Sequence, residues 1–540
     1  MSEKKNSSGT ASLWLGPLAV GAYFALFKLF LHFTFNSNYG YFRDELYFLA
    51  CGEHLAWGYP DHAPMVALMA RASRFLLGDS LFAIRFFPAV AGAVKIFLTA
   101  VLVKEFGGRA FAAFLACLCV LCAPIFITID NLLSMNSLEP VFWMLPVYFA
   151  VKAIKGTSPR VSKSGEFELE TQNSAPGPRH SLNWLFFGLF AGLGLMNKHS
   201  MLFFGFAIFV GLLSTNARKV FLDKYFWLGG AIAFSIFLPN IIWEFQNDFA
   251  TLELLQNVRR SGKNVEMSPL RFFVSQILGM FPTAFPVWLA GIYFLIFDKN
   301  GKRFRFLGIA YIVLLALMIY LKAKDYYLAP VYPMLFAAGA VWFEQITEKI
   351  RTLRFVRYAL PLLIFVPFIF IAPVGLPVLP VAKLIAYQNA LGIKPPKSEV
   401  GHEGVLQQIY GDQFGWREMV EKTAQVYNSL PPEEREKAGI FASNYGEAGA
   451  IDFFGGQYDL PKAISPHQSY FLWGPREYTG DVLILLGSKK ADAEKACESV
   501  EEAAQVNHPY AMAEEKFTIL ICRKTKKPLP EIWPSLKHWN

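Results

Sequence analysis

Long apolar runs recur through most of the chain: Leu13 to Phe35, Leu81 to Val103, Ala110 to Thr128, Val141 to Val151, Leu185 to Met196, Met201 to Leu213, Phe226 to Trp243, Phe272 to Phe297, Phe306 to Tyr320, Tyr327 to Phe343 and Tyr358 to Val381. Runs of this kind fit the hydrocarbon core of a bilayer, so the pattern predicts a membrane all-α protein, a polytopic helix bundle of about eleven spans. The balance of 54% hydrophobic against 17% charged residues over 540 positions, with 52 Phe, agrees with that class. Several runs fall short of the roughly twenty residues of a perpendicular span. The pair flanking Asn197, Lys198 and His199 therefore reads as short helices around a buried polar turn.

An odd number of spans puts the termini on opposite faces, and basic residues indicate which is which. With the N-terminus inside, Lys4, Lys5, Lys104, Arg109, Arg218, Lys219, Lys302, Arg303, Arg305 and Arg354 fall on the cytoplasmic side, and the outer loops carry about half as many cations. The expected location is a bacterial cytoplasmic membrane, with the first run as a retained anchor and the C-terminal part outside. Anionic inner-leaflet lipid accounts for the formal charge of +9 without a nucleic-acid partner.

Residues 1–393 read as the transmembrane part, interrupted at 154–182 by a Ser-, Pro- and Gly-rich segment expected to be a disordered cytoplasmic loop. From 394 to 540, helix-like windows such as Trp416 to Tyr427 alternate with β-like runs at Val482 to Leu486 and Phe517 to Ile521, predicting an extracytoplasmic α/β domain. Cys117, Cys119 and Cys122 share one apolar helix and read as packing residues. Only Cys497 and Cys522 are open to pairing, on the side where disulfides form.

Between two apolar runs, YFRDELYFLACGEHLAWGYPDHAP carries Asp44, Glu45, Glu53, His54, Asp61 and His62. Charge where a chain leaves the bilayer is costly unless it is used. As a helix this stretch is amphipathic, with its carboxylates at the start, and would lie in the interface with its acidic end over the bundle mouth. Asp44 is then a candidate general base, with Glu45 beside it; the alternative is that both serve the helix dipole. Asp61 and His62 could bind acceptor or sugar. With Asp44 they could hold a divalent cation, or they form a hydrogen-bonded turn before Pro64. No cofactor is otherwise implied.

The next outer loop carries Asp130, Asn131, Asn136 and Glu139, and Glu139 before Pro140 would open the following span. Opposite lie Lys198, His199, Lys322, Lys324, Asp325 and Tyr326. Lysines near span ends ordinarily snorkel. Beside an acidic rim, though, they suit a lipid phosphate, while an attacking hydroxyl needs a base, so the pattern matches glycosyl transfer. In the C-terminal part, Asn444, Tyr445, Glu447 and His467 are of the types that stack on and hydrogen-bond sugars, or they are ordinary loop residues.

The stretch from DELY through the Pro64 turn and Arg85, followed by NSLEP, NKHS and the lysine-to-YPML segment, resembles the GT-C superfamily of integral-membrane glycosyltransferases. Within it, the resemblance is to the bacterial protein-mannosyltransferase and aminoarabinose-transferase-like group. The resemblance implies a sugar donor on a polyprenyl phosphate and a lipid, glycan or protein acceptor. It also implies catalytic roles for Asp44, Glu45 and Glu139, and donor-phosphate contacts from Arg85, Lys198, Lys322 or Lys324. Ala63 stands where aminoarabinose transferases place a basic residue. The competing class is a transporter or lipid flippase, which also carries intramembrane charge.

Overall fold

The computed structural model describes residues 15–156, 178–262, 266–393 and 404–539. Most of the segment expected to be disordered, 157–177, lies outside them. Among the described residues, seven helices are long and apolar enough to cross a membrane, or up to nine if each of two bent pairs is one span. Ala110–Cys122 and Ser181–Asn197 are shorter apolar helices, so the expected eleven spans exceed those that qualify by length. Phe272 to Phe297 is one such bend, with Pro269–Gly279 meeting Pro282–Ile296 at 94°. Leu81 to Val103 is also interrupted: Arg85 ends helix Leu81–Ile84 and begins Phe86–Glu105. Cys117, Cys119 and Cys122 are fully buried packing residues.

One polar cluster lies inside the bundle. Asp130 receives Lys95 at 2.8 Å and Lys28 at 2.7 Å, and all three side chains are fully buried. Lys28 also donates to the Phe126 carbonyl at 3.1 Å. Gly92 makes room for the cluster, since a Cβ there would lie 2.6 Å from Asp130 Oδ2. Asp130 therefore does not join an acidic rim; it ties the first span, Pro17–Phe35, to Phe86–Glu105.

The C-terminal part carries a four-stranded sheet in the order β1-β2-β4-β3, with β1 Ala438–Ala442 parallel to β2 Val482–Leu486, and β3 Cys497–Val506 and β4 Phe517–Thr525 antiparallel. Cys497 and Cys522 form a disulfide between β3 and β4. Because strand side chains alternate, Val482, Ile484 and Leu486 face one core and Leu483 and Leu485 another. The first core is continuous with the segment that follows the first span: Leu46, Tyr47, Leu49 and Val66 pack into the same cluster as Ile440, Ile484 and Ile521. Gly449 permits the approach, since a Cβ there would lie 2.9 Å from the Leu46 carbonyl oxygen.

Helix Tyr445–Phe454 starts from a capping box in which Asn444 accepts from the Glu447 amide and Glu447 accepts from that of Asn444. Glu447 is buried and also accepts from the Ser443 amide at 2.8 Å. Burial pushes its carboxyl from 4.5 up to about 7, against the pull of those amides. Glu515, which accepts from the Asn444 side-chain amide at 3.4 Å, is also raised, by burial and by Glu447.

Two outcomes follow from these buried charges. Asp130→Asn keeps the volume but leaves Lys28 and Lys95 without a counter-charge, and should cost about 3–5 kcal/mol of stability; an unchanged melting temperature in detergent would contradict the cluster's role. For Glu447, the folded state holds a proton that the unfolded chain releases near 4.5, so stability is fullest below that pH and declines as pH rises to about 7. Glu447→Gln should flatten that part of the pH dependence of thermal unfolding.

Candidate active site

Helix Arg43–Glu53 opens the acidic loop, and its first two acids go to different places. Glu45 is fully buried. Its Oε1 accepts from Arg85 Nε and from the Leu133 amide, each at 2.8 Å, and its Oε2 accepts from another Arg85 nitrogen and the Phe42 amide, also at 2.8 Å. Arg85 spends its remaining donors on the carbonyls of Asn36 and Gly40 and on Gln413. Glu45 and Arg85, expected among the catalytic and donor-phosphate residues, thus lie buried, paired with each other and bonded to backbone groups and to Gln413.

Asp44, one residue back, points the other way. Its side chain is 36% exposed, and Oδ1 accepts from the Tyr445 hydroxyl at 2.8 Å. Arg43 lies 3.9 Å from it and is itself held by Glu514 at 2.6 Å and Asp412 at 3.7 Å. Asp61 and His62 are within electrostatic reach of Asp44. Asp61 accepts from Tyr47 at 2.8 Å, and burial raises its carboxyl. His62 is packed against Tyr59 and directs Nδ1 to the Ala63 carbonyl at 2.9 Å, and burial lowers its imidazole.

The second carboxylate lies where the two short helices meet. Helix Met135–Gly156 begins a turn before Glu139, so Pro140 is inside it rather than at its start. As expected, Pro178–Asn197 and Met201–Leu213 flank a polar turn with Asn197 and Ser200 buried. From that turn Lys198 donates to Glu139 Oε2 and to Asn136, each at 2.8 Å, and Ser200 donates to Glu139 Oε1. The Lys198 ammonium also lies 4.3 Å from the Tyr327 ring centroid and 5.5 Å from that of Tyr326. Tyr326 feels both Glu139 and Asp44, so it joins the two acidic positions into one neighbourhood.

Of the other expected residues, Lys324 lies two residues before Tyr326, and the rest fall outside this neighbourhood. Lys322 is exposed and paired with Glu266 at 2.7 Å. Lys324 is half-buried at the start of the turn that carries Tyr326. Asn444 and Glu447 are used by the helix cap, not presented to a sugar, and His467 supports Tyr445, with its ring 4.8 Å away. Among the described residues no three or more His, Cys, Asp or Glu are grouped to hold a metal ion, so Asp44, Asp61 and His62 do not form a ligand set. A cavity of about 260 Å³ lined by Arg218, Lys302 and Arg305 lies at the far end of Met201–Leu213 from Lys198, away from these groups. Sequence reasoning missed Tyr47, Ser200 and Ser469, whose hydroxyls matter only through partners distant in the chain.

Residues 61–161 and 178–243 match the family model of dolichyl-phosphate-mannose-protein mannosyltransferase, a match that includes Glu139 and Lys198 and begins after Asp44. The chain superposes on ArnT from Cupriavidus metallidurans bound to undecaprenyl phosphate with a TM-score of 0.56 at 13% identity, covering 92% of this chain and 97% of that one. Against the apo state of that protein the TM-score is again 0.56, at 13% identity, with coverages of 95% and 98%. An oligosaccharyltransferase from Archaeoglobus fulgidus gives 0.49 at 12% identity, over 83% of this chain and 62% of that chain. No curated protein matches the chain in sequence. The match over residues 61–161 and 178–243 and the fold shared with ArnT support the resemblance to the GT-C superfamily of integral-membrane glycosyltransferases.

Proposed function

We propose that this chain transfers a sugar from a polyprenyl phosphate to an acceptor hydroxyl on the extracytoplasmic face of a bacterial cytoplasmic membrane, with inversion and with Asp44 as base. The observation that carries this reading is the state of Asp44. Of the two acids that open the outer helix, it alone is partly exposed, and among the described residues its Oδ2 has no hydrogen bond. In the reaction, Asp44 takes the acceptor proton and the acceptor oxygen bonds to the anomeric carbon. The bond from that carbon to the phosphate oxygen breaks, releasing polyprenyl phosphate. A phosphate leaving group needs no strong general acid.

The lipid-linked donor is supported by ArnT, whose structure holds undecaprenyl phosphate. Lys198, beside Tyr326 and Tyr327, and Lys324 are the cations of this chain best placed to meet such a phosphate. Glu139 holds Lys198 in position. The Cys497–Cys522 disulfide supports an oxidising location for the C-terminal unit, and hence for the outer loop packed on it. The transporter alternative is disfavoured because Lys28, Lys95 and Asp130 hold one another in a closed, fully buried cluster. Lipid, glycan and protein remain the acceptor classes.

Transfer is measurable in membranes supplied with undecaprenyl-phosphate-linked mannose, glucose and aminoarabinose, alongside the mass of envelope glycan from cells lacking the protein. Asp44→Asn should lower turnover about 100-fold or more while the protein still folds; near-normal transfer by the variant would remove Asp44 as base. Glu139→Gln takes the counter-charge from Lys198 and should slow transfer about tenfold. An unaltered rate there would leave Glu139 as a helix-turn fastener only.

A further inference from the structure

The C-terminal unit reaches the proposed base directly. Tyr445 opens helix Tyr445–Phe454, and its hydroxyl donates to Asp44 Oδ1 at 2.8 Å across 401 residues of chain. Its ring is held between Tyr47, at 4.7 Å between centroids, and His467, at 4.8 Å, and the Arg43 guanidinium lies 5.7 Å from its centroid. Gly446 admits this packing, because a Cβ there would lie 2.4 Å from Arg43 Cγ. The same unit makes a second approach: Ser469 Oγ lies 2.6 Å from the Tyr47 hydroxyl that donates to Asp61. Both loop carboxylates thus take a tyrosine hydroxyl, one supplied by the C-terminal unit and the other braced by it.

We infer that Tyr445 is a positioning residue for transfer, fixing Oδ1 of Asp44 so that Oδ2 is the oxygen that receives the acceptor proton, and that the C-terminal unit thereby completes the active site. This inference rests on the base role proposed for Asp44. A carboxylate with one oxygen engaged cannot spin freely, and a donor to its charged form favours that form. Tyr445 acts only as donor, since burial and the neighbouring Asp44 push its phenol far above the ordinary range. Charged and titratable neighbours of Asp44 are Arg43, Asp61, His62, Tyr326 and Tyr445.

Docking does not depend on this one bond. Arg43 binds Glu514 at 2.6 Å and its amide donates to the Asp412 carbonyl at 3.0 Å, Lys462 binds Glu53 at 3.0 Å, and the apolar core is shared. Loss of the Tyr445 hydroxyl should therefore leave the unit seated, so its effect on chemistry is separable from its effect on folding.

The test uses full-length protein in nanodiscs, with Tyr445→Phe, Asp44→Asn and the double variant, and the undecaprenyl-phosphate hexose that the wild type turns over. Tyr445→Phe should lower kcat about tenfold, the share of a hydrogen bond to a charged group, with donor KM within about twofold. Tyr445→His should recover part of the rate lost in Tyr445→Phe, and Tyr445→Phe should cost nothing further in the Asp44→Asn background. Thermal unfolding of the four proteins should show non-additive shifts, a readout that needs no donor. Wild-type kcat in Tyr445→Phe with an inactive Asp44→Asn would overturn the inference and leave the base standing. Additive melting shifts would also overturn it, and full transfer by Asp44→Asn would overturn both readings.

Discussion

Glu45 and Arg85 meet edge to edge, with two hydrogen bonds of 2.8 Å between them and both side chains fully buried. A pair of this kind gains little over an apolar pair of the same shape, but breaking it strands a charge, which costs about 3–5 kcal/mol. Its worth here lies in what it fixes. Arg85 interrupts an apolar run and gathers the carbonyls of Asn36 and Gly40, while Glu45 gathers the amides of Phe42 and Leu133. The end of the first span, the start of Arg43–Glu53, the start of Phe86–Glu105 and the turn that holds Leu133 are thereby joined at one point. Asp44 is oriented as a consequence, because a helix turns its next residue away.

The outer loop and the C-terminal unit share one core, and this changes the meaning of that unit. One face of its sheet is covered by helices of its own, and the other runs into residues of the loop. Tyr445 and Ser469 reach the loop carboxylates because this apolar contact brings them there, and the glycines at 446 and 449 set how close they come. A unit fastened in this way is packed into the fold and is not a tethered accessory.

Beneath the loop, Lys28, Asp130 and Lys95 hold the spans that carry it. Glu139 and Lys198 do the same for the opposite wall, where a helix break lets a polar turn sit at depth. Irregular backbone is tolerated there because protein partners take its polar groups: Asn197 donates to the Met135 carbonyl at 2.9 Å.

The membrane character of the chain, the placing of an acidic helix between spans, the polar turn at Lys198 and the alternation of helix and strand near the C-terminus were all legible in the sequence. Each is a local property, a matter of hydropathy and period. Which of two neighbouring acids is buried against an arginine and which stays partly exposed was not legible, since Asp44 and Glu45 differ only in the partners that folding brings from residues 85, 133 and 445. The same holds for Asn444 and Glu447, whose types suggested sugar contacts until their capping box was seen, and for Asp130, which turned inward to two lysines. Burial and pairing are relations between distant parts of the chain, and for that reason only the tertiary structure decided them.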